Sequence, residues 1–178
     1  MIELITVIAI LAIVGIGSIT LLGVVPRRHV TGCTKQVVYY LEKARTNAMS
    51  FKDARLILTN TDLGVCASLE TTKGSDVTIS APEQIGEKNL TVSYKLLGED
   101  ESVAEHVLNV VSYGSLPGSM DESLIFSFDR SAGSFKNAFV GATDLGNSVS
   151  TIYITKGNWT MQLDLVQLTG KVTYAWKE

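Results

Sequence analysis

From Leu4 to Val25 the chain carries no charged residue, and these 22 positions hold only Ile, Val, Leu, Ala, Gly, Ser and Thr. As a helix, such a run is long enough to cross a bilayer core of roughly 30 Å. No basic residue precedes it, and it ends in Val25-Pro26-Arg27-Arg28 rather than in a small-residue cleavage site. The pattern therefore reads as a retained anchor rather than a signal-peptide remnant. Beyond it the apolar period narrows. Val30, Cys33, Val37, Leu41, Ala44 and Ala48 recur at steps of three and four, while Lys35, Glu42, Lys43 and Arg45 lie mostly off that stripe. The spacing predicts an amphipathic continuation of the same helix, from residue 2 to about residue 50. Gly15, Gly17 and Gly23 each cost roughly 1 kcal/mol against Ala in a helix interior. Pro26 removes a backbone donor, so a kink is expected near it.

After Lys52 the helical period stops. Arg55–Thr59, Val65–Glu70, Val77–Ala81, Leu90–Leu96 and Leu124–Phe128 are short alternating or apolar runs between Gly, Asn, Asp and Pro clusters. Near the C-terminus Trp159, Met161, Leu163 and Leu165 alternate with Thr160, Gln162 and Asp164. Ile152 and Ile154 precede them across a Lys156-Gly157-Asn158 turn, and Val172, Tyr174 and Trp176 follow Thr169-Gly170. This predicts a three-strand meander. The segment 98–120 is ambiguous, with a short strand or helix near Val107–Val111 and a loop at Pro117-Gly118. The fold class expected is α+β: a long N-terminal helix packed on an antiparallel β-sheet head. The organisation expected is 1–26 for the membrane half of the helix, 27–52 for its amphipathic half and 53–178 for the head.

Charge divides along the same lines. From Arg27 to Lys52 there are six basic residues and one acid, and beyond Lys52 there are nine basic and sixteen acidic residues. A basic stalk under an acidic head suits anionic lipid head groups or acidic neighbours, and equally a solvated helix face. The acidic head argues against nucleic acid as a partner. The chain has two cysteines, Cys33 and Cys66. An exported chain could join them in a disulfide, or they could remain two buried thiols.

No catalytic set is apparent, so no enzyme is expected. His29 sits beside two arginines at the membrane edge, and His106 is far from it in a surface segment. Glu99-Asp100-Glu101 and Asp121-Glu122 read as solvated loops, without the spacing of a calcium loop. No Cys and His grouping has metal-ligand spacing. No cofactor is expected.

The opening Met1-Ile2-Glu3-Leu4-Ile5-Thr6-Val7-Ile8-Ala9-Ile10-Leu11-Ala12-Ile13-Val14 resembles the type IV prepilin N-terminal motif. In that family a leader ends in Gly, and the mature chain typically begins Phe-Thr-Leu-Ile-Glu. Here the glutamate is third rather than fifth, so Met1 would occupy the third mature position. The resemblance implies a structural subunit of a type IV pilus or a type II secretion pseudopilus. It implies processing and N-terminal methylation by a prepilin peptidase, contact with an inner-membrane assembly platform, and polymerisation with other pilins or pseudopilins. The helix would be a pilin spine, held first in membrane lipid and then in the filament core. Glu3 would be the assembly residue, pairing with the N-terminal amine of an adjacent subunit. The chain would lie in the cytoplasmic membrane, single-pass with its head outside, and then in a periplasmic or extracellular filament. That topology puts Arg27 and Arg28 on the exported side, against the positive-inside preference.

A weaker resemblance extends further. Leu41-Glu42-Lys43-Ala44-Arg45-Thr46-Asn47-Ala48, Phe126-Ser127-Phe128, the Gly133 turn and Gly170-Lys171 are similar to the H-type pseudopilins and FimT-like minor pilins. It implies a minor rather than a major subunit. The Gly-Arg-x-Arg pattern through which some FimT-like proteins bind DNA is absent from Gly170-Lys171-Val172-Thr173. The alternative is a membrane-tethered extracytoplasmic protein for binding, adhesion or DNA uptake, with an acidic β head.

Overall fold

A computed structural model describes residues 2–51, 53–99, 103–116, 122–146 and 149–177; within these, side chains are described except at 2–5, 8–24 and 115. The sequence builds one helix, α1 (Ile2–Ser50), which continues through Pro26. Its C-terminal half buries the stripe that the spacing defines: Val30, Cys33, Val37, Leu41, Ala44 and Ala48 are all at most 2% exposed. Each large aliphatic side chain buried in this way stabilises the contact by about 1.5–3 kcal/mol. Lys35, Glu42 and Lys43 face outward, whereas Arg45 is half-buried. Among the described residues, no helix is long and apolar enough to cross a membrane. The run Leu4–Val25 lies almost wholly outside the described side chains, as does the side chain of Glu3. The expected loop at Pro117-Gly118 lies outside the described residues.

Among the described residues thirteen strands follow: β1 (Asp53–Thr61), β2 (Gly64–Lys73), β3 (Asp76–Ile79), β4 (Glu83–Gln84), β5 (Thr91–Leu96), β6 (His106–Val107), β7 (Val110–Val111), β8 (Leu124–Phe128), β9 (Phe135–Val140), β10 (Thr143–Gly146), β11 (Val149–Lys156), β12 (Trp159–Val166) and β13 (Lys171–Trp176). They form two sheets. The first runs β10-β9-β8-β1-β2-β3, with β4 also on β2 and β7 on β1; the second runs β13-β12-β11-β5-β6. The β1–β7 pair is parallel, and the other described pairs are antiparallel.

The expected α+β class, a long helix on one antiparallel sheet head, is thereby corrected. The body is mostly antiparallel β in two sheets, and strand outweighs helix along the described chain. The reason lies in pairing at a distance. β5 leaves the first sheet and pairs with β11 (Thr91 opposite Thr155, Tyr94 opposite Ile152), while β8 returns to β1 (Phe126 opposite Leu56). Alternation along a strand fixes which face is buried, but not which sheet the strand joins. The C-terminal meander itself forms, with Ile154 opposite Met161 and Leu163 opposite Tyr174.

The amphipathic half of α1 touches β1, β2 and β8 of the first sheet and β11, β12 and β13 of the second. One apolar cluster runs through all three layers, from Val37 and Leu41 to Leu56, Phe126, Ile152 and Leu163. The helix stripe is therefore part of the core that unites the two sheets.

Candidate functional site

The features that connect α1 to the sheets lie in three groups along the helix. At its C-terminal end, Arg45 Nε–H donates to the Gly133 carbonyl at 3.0 Å. Gly133 sits in the turn between β8 and β9. The Asp129 carboxylate builds that turn by accepting from the Ser131 hydroxyl and from the backbone N–H groups of Ser131 and Ala132. These bonds, the Ser131 hydroxyl first, hold the Asp129 carboxyl below the usual carboxylate range. Gly170, in the β12–β13 turn, comes against the same carbonyl. A Cβ on Gly170 would lie 2.0 Å from Gly133 O and 3.1 Å from Arg45 Nε, and its φ is +64°. Only glycine fits there, on space and on backbone conformation alike. Helix, first sheet and second sheet thus meet at one carbonyl oxygen.

Midway, Cys33 lies under Gly86, where a Cβ would stand 2.8 Å from the cysteine sulfur and 3.0 Å from Val65 Cβ. Burial pushes the Cys33 thiol up to about 12. Cys66 follows Val65 on β2, so its side chain points to the opposite face of the strand. There it contacts Thr61 Oγ1 at 3.7 Å. Burial, set against the Thr61 contact, raises its pKa too. Both cysteines are free and buried. Nearby, the Tyr40 hydroxyl donates to the Glu83 carboxylate. Burial first, then that carboxylate, pushes the tyrosine up to about 12.

At the N-terminal end of the contact the chemistry turns polar and aromatic. His29 Nδ1 is 2.7 Å from Glu87 Oε2 and 2.7 Å from Lys156 Nζ, while Lys156 and Glu87 are 3.5 Å apart. One nitrogen cannot accept from the lysine and donate to the glutamate at once. A bare Nδ1 takes the lysine proton donor; a protonated Nδ1 serves the carboxylate. Beside this group the Arg27 guanidinium lies 5.3 Å from the Trp159 ring and 4.9 Å from the Trp176 ring. The two indoles meet edge-on at 5.7 Å. Pro26 lines a shallow recess with Lys156, Gly157, Asn158 and Trp159.

The residues singled out in the sequence are thus distributed. Pro26 sits at the base of the joint and Cys33 in its middle, with Cys66 across β2. His106 stacks on Tyr94 with ring centroids 5.1 Å apart, and it bonds Glu99 at 2.9 Å. That bond, with the Leu96 N–H, lowers the Glu99 carboxyl pKa. Among the described residues, no group of three or more His, Cys, Asp or Glu side chains could hold a metal.

Sequence reasoning missed two features. One is the pairing of Arg27 with both tryptophans; the other is the meeting of Arg45, Gly133 and Gly170. The latter three had been noticed separately, as parts of a motif resemblance. No family model, curated protein or solved structure matches the chain.

Proposed function

We propose that the chain is a structural subunit of a type IV pilus or type II secretion pseudopilus, a minor one rather than the major, assembled through its N-terminal helix. The observation that carries this reading is one continuous helix with two unlike halves. Residues 27–50 are seated across both sheets. The other half is the uncharged run Leu4–Val25, with Glu3 before it. A bilayer first, and then equivalent helices of neighbouring subunits, would take that apolar surface.

A carboxylate at the tip of an uncharged span is costly to leave unpaired in an apolar setting. A partner amine on an adjacent subunit would relieve that cost and set the register. The test is Glu3→Ala followed by membrane fractionation and sedimentation of sheared polymers. The variant is expected in the membrane fraction at wild-type level and absent from polymers. A variant that assembles normally sinks the assembly role and favours a membrane-tethered binding protein.

A further inference from the structure

The end of the head next to Pro26 gathers basic and aromatic side chains. Trp159 and Trp176 are the chain's two tryptophans, and both stand there around Arg27. On the adjoining helix face Arg27, Arg28, Thr31, Gly32 and Lys35 line one open groove. The exposed Gly157 and Asn158 of the β11–β12 turn complete the surface next to Pro26.

We infer that this face, comprising the Arg27–Lys35 groove and the Trp159–Trp176 pair, is a seat for an anionic phospholipid surface, holding the head down on the bilayer before assembly. The inference rests on the reading that residues 4–25 span a membrane. Helical rise places Arg27 and Arg28 about 3–5 Å beyond Val25. That is within the head-group layer of about 5–7 Å on each side of the hydrocarbon. Lys35 stands about 15 Å beyond, further than the Debye length of about 8–10 Å, so it acts fully only when the helix tilts the groove toward the lipid.

The residue types suit the place. Guanidinium groups take phosphate oxygens in a fork geometry. Indole rings favour the water–hydrocarbon boundary, with an apolar body and one N–H donor. Arg27 lying over both indoles keeps its charge beside them. Among the described acids near this end, Glu87 has His29 and Lys156 drawn up against it and Glu105 is paired with Lys177, which leaves Arg27, Arg28 and Lys35 to set the sign of the groove.

The two tryptophans make the test direct. The full-length chain is reconstituted into vesicles of phosphatidylcholine, with or without phosphatidylglycerol, and tryptophan emission is quenched by a nitroxide on the lipid head group. Quenching is expected to be at least about twofold stronger with phosphatidylglycerol, and to fall to the neutral-lipid level in Arg28→Glu/Lys35→Glu. Both substituted positions are exposed, and circular dichroism checks that the variant keeps its fold. A chain that floats with vesicles yet shows no head-group quenching, or none that depends on phosphatidylglycerol, overturns this inference and leaves the spanning reading intact. A chain that does not float overturns both. Emission that changes only on polymerisation assigns the face to a neighbouring copy and overturns the lipid seat.

Discussion

At its Arg45 end the helix lays one guanidinium on two glycine turns of the head that are packed backbone on backbone, whereas at its Arg27 end it meets the head through several charges and rings near the surface. The first contact depends on shape. Gly133 and Gly170 approach so closely that a single methyl group has no room, and salt has little to screen. The second depends on groups such as Lys156 and Glu87, whose side chains are 19% and 60% exposed, and water competes for every partner. A helix held this way is fixed at the far end and adjustable at the end nearest the apolar half. That would suit the proposed subunit, whose apolar half would pass from bilayer to filament.

The sharpest way to break this contrast is Gly170→Ala. The added Cβ meets Gly133 O at 2.0 Å in a left-handed backbone, and the expected loss is about 3 kcal/mol or more in urea unfolding. Gly157→Ala is its control, because Gly157 has φ +60° but nothing within 4 Å of an added Cβ. It should lose only the left-handed backbone cost of about 1–2 kcal/mol. Equal losses would show that the close approach contributes nothing. Leu41→Ala, between the two ends, should cost about 2–5 kcal/mol by leaving a core cavity. Arg45→Ala should cost about 1–2 kcal/mol by orphaning the Gly133 carbonyl, with partial recovery in Arg45→Lys. At the other end, Lys156→Ala should move stability by less than about 0.5 kcal/mol, and molar salt should erase the difference.

A pH titration sharpens the middle of the contact. Below about pH 9 the Cys33 thiol is neutral in folded and unfolded chains alike and adds no slope. Above it the unfolded chain ionises first, while the folded thiol holds its proton up to about 12. Stability should therefore fall as pH rises through that window. Cys33→Ala should show a shallower fall in calorimetry than the parent chain, and an identical slope would contradict the burial argument.

What could be read in the sequence was local. Val30, Cys33, Val37, Leu41, Ala44 and Ala48 announced a buried face because helical geometry repeats every few residues, and they are buried. The 152–176 meander was legible because its strands are consecutive and joined by short turns. What was hidden depends on long-range pairing. Nothing in Leu90–Leu96 says that β5 will join β11 rather than its neighbours, so one sheet was expected where two exist. Arg45 and Gly133 are 88 residues apart, and their contact follows from how two turns fold back on the helix. Arg27 and the tryptophans were hidden for the same reason. Cys33 and Cys66 had been considered as a pair, but alternation along β2 turns Cys66 away from the Val65 side that meets Cys33.

In the proposed subunit, residues 2–25 are the assembling element and the two-sheet body is what they carry. Electron cryomicroscopy of polymers sheared from cells expressing the chain tests it most directly. Helices from many copies should pack along the axis, with Glu3 beside the N-terminal amine of a neighbour and the sheets outside. Polymers with the sheets at the axis, or preparations in which the intact membrane-held chain never enters a polymer, would contradict it.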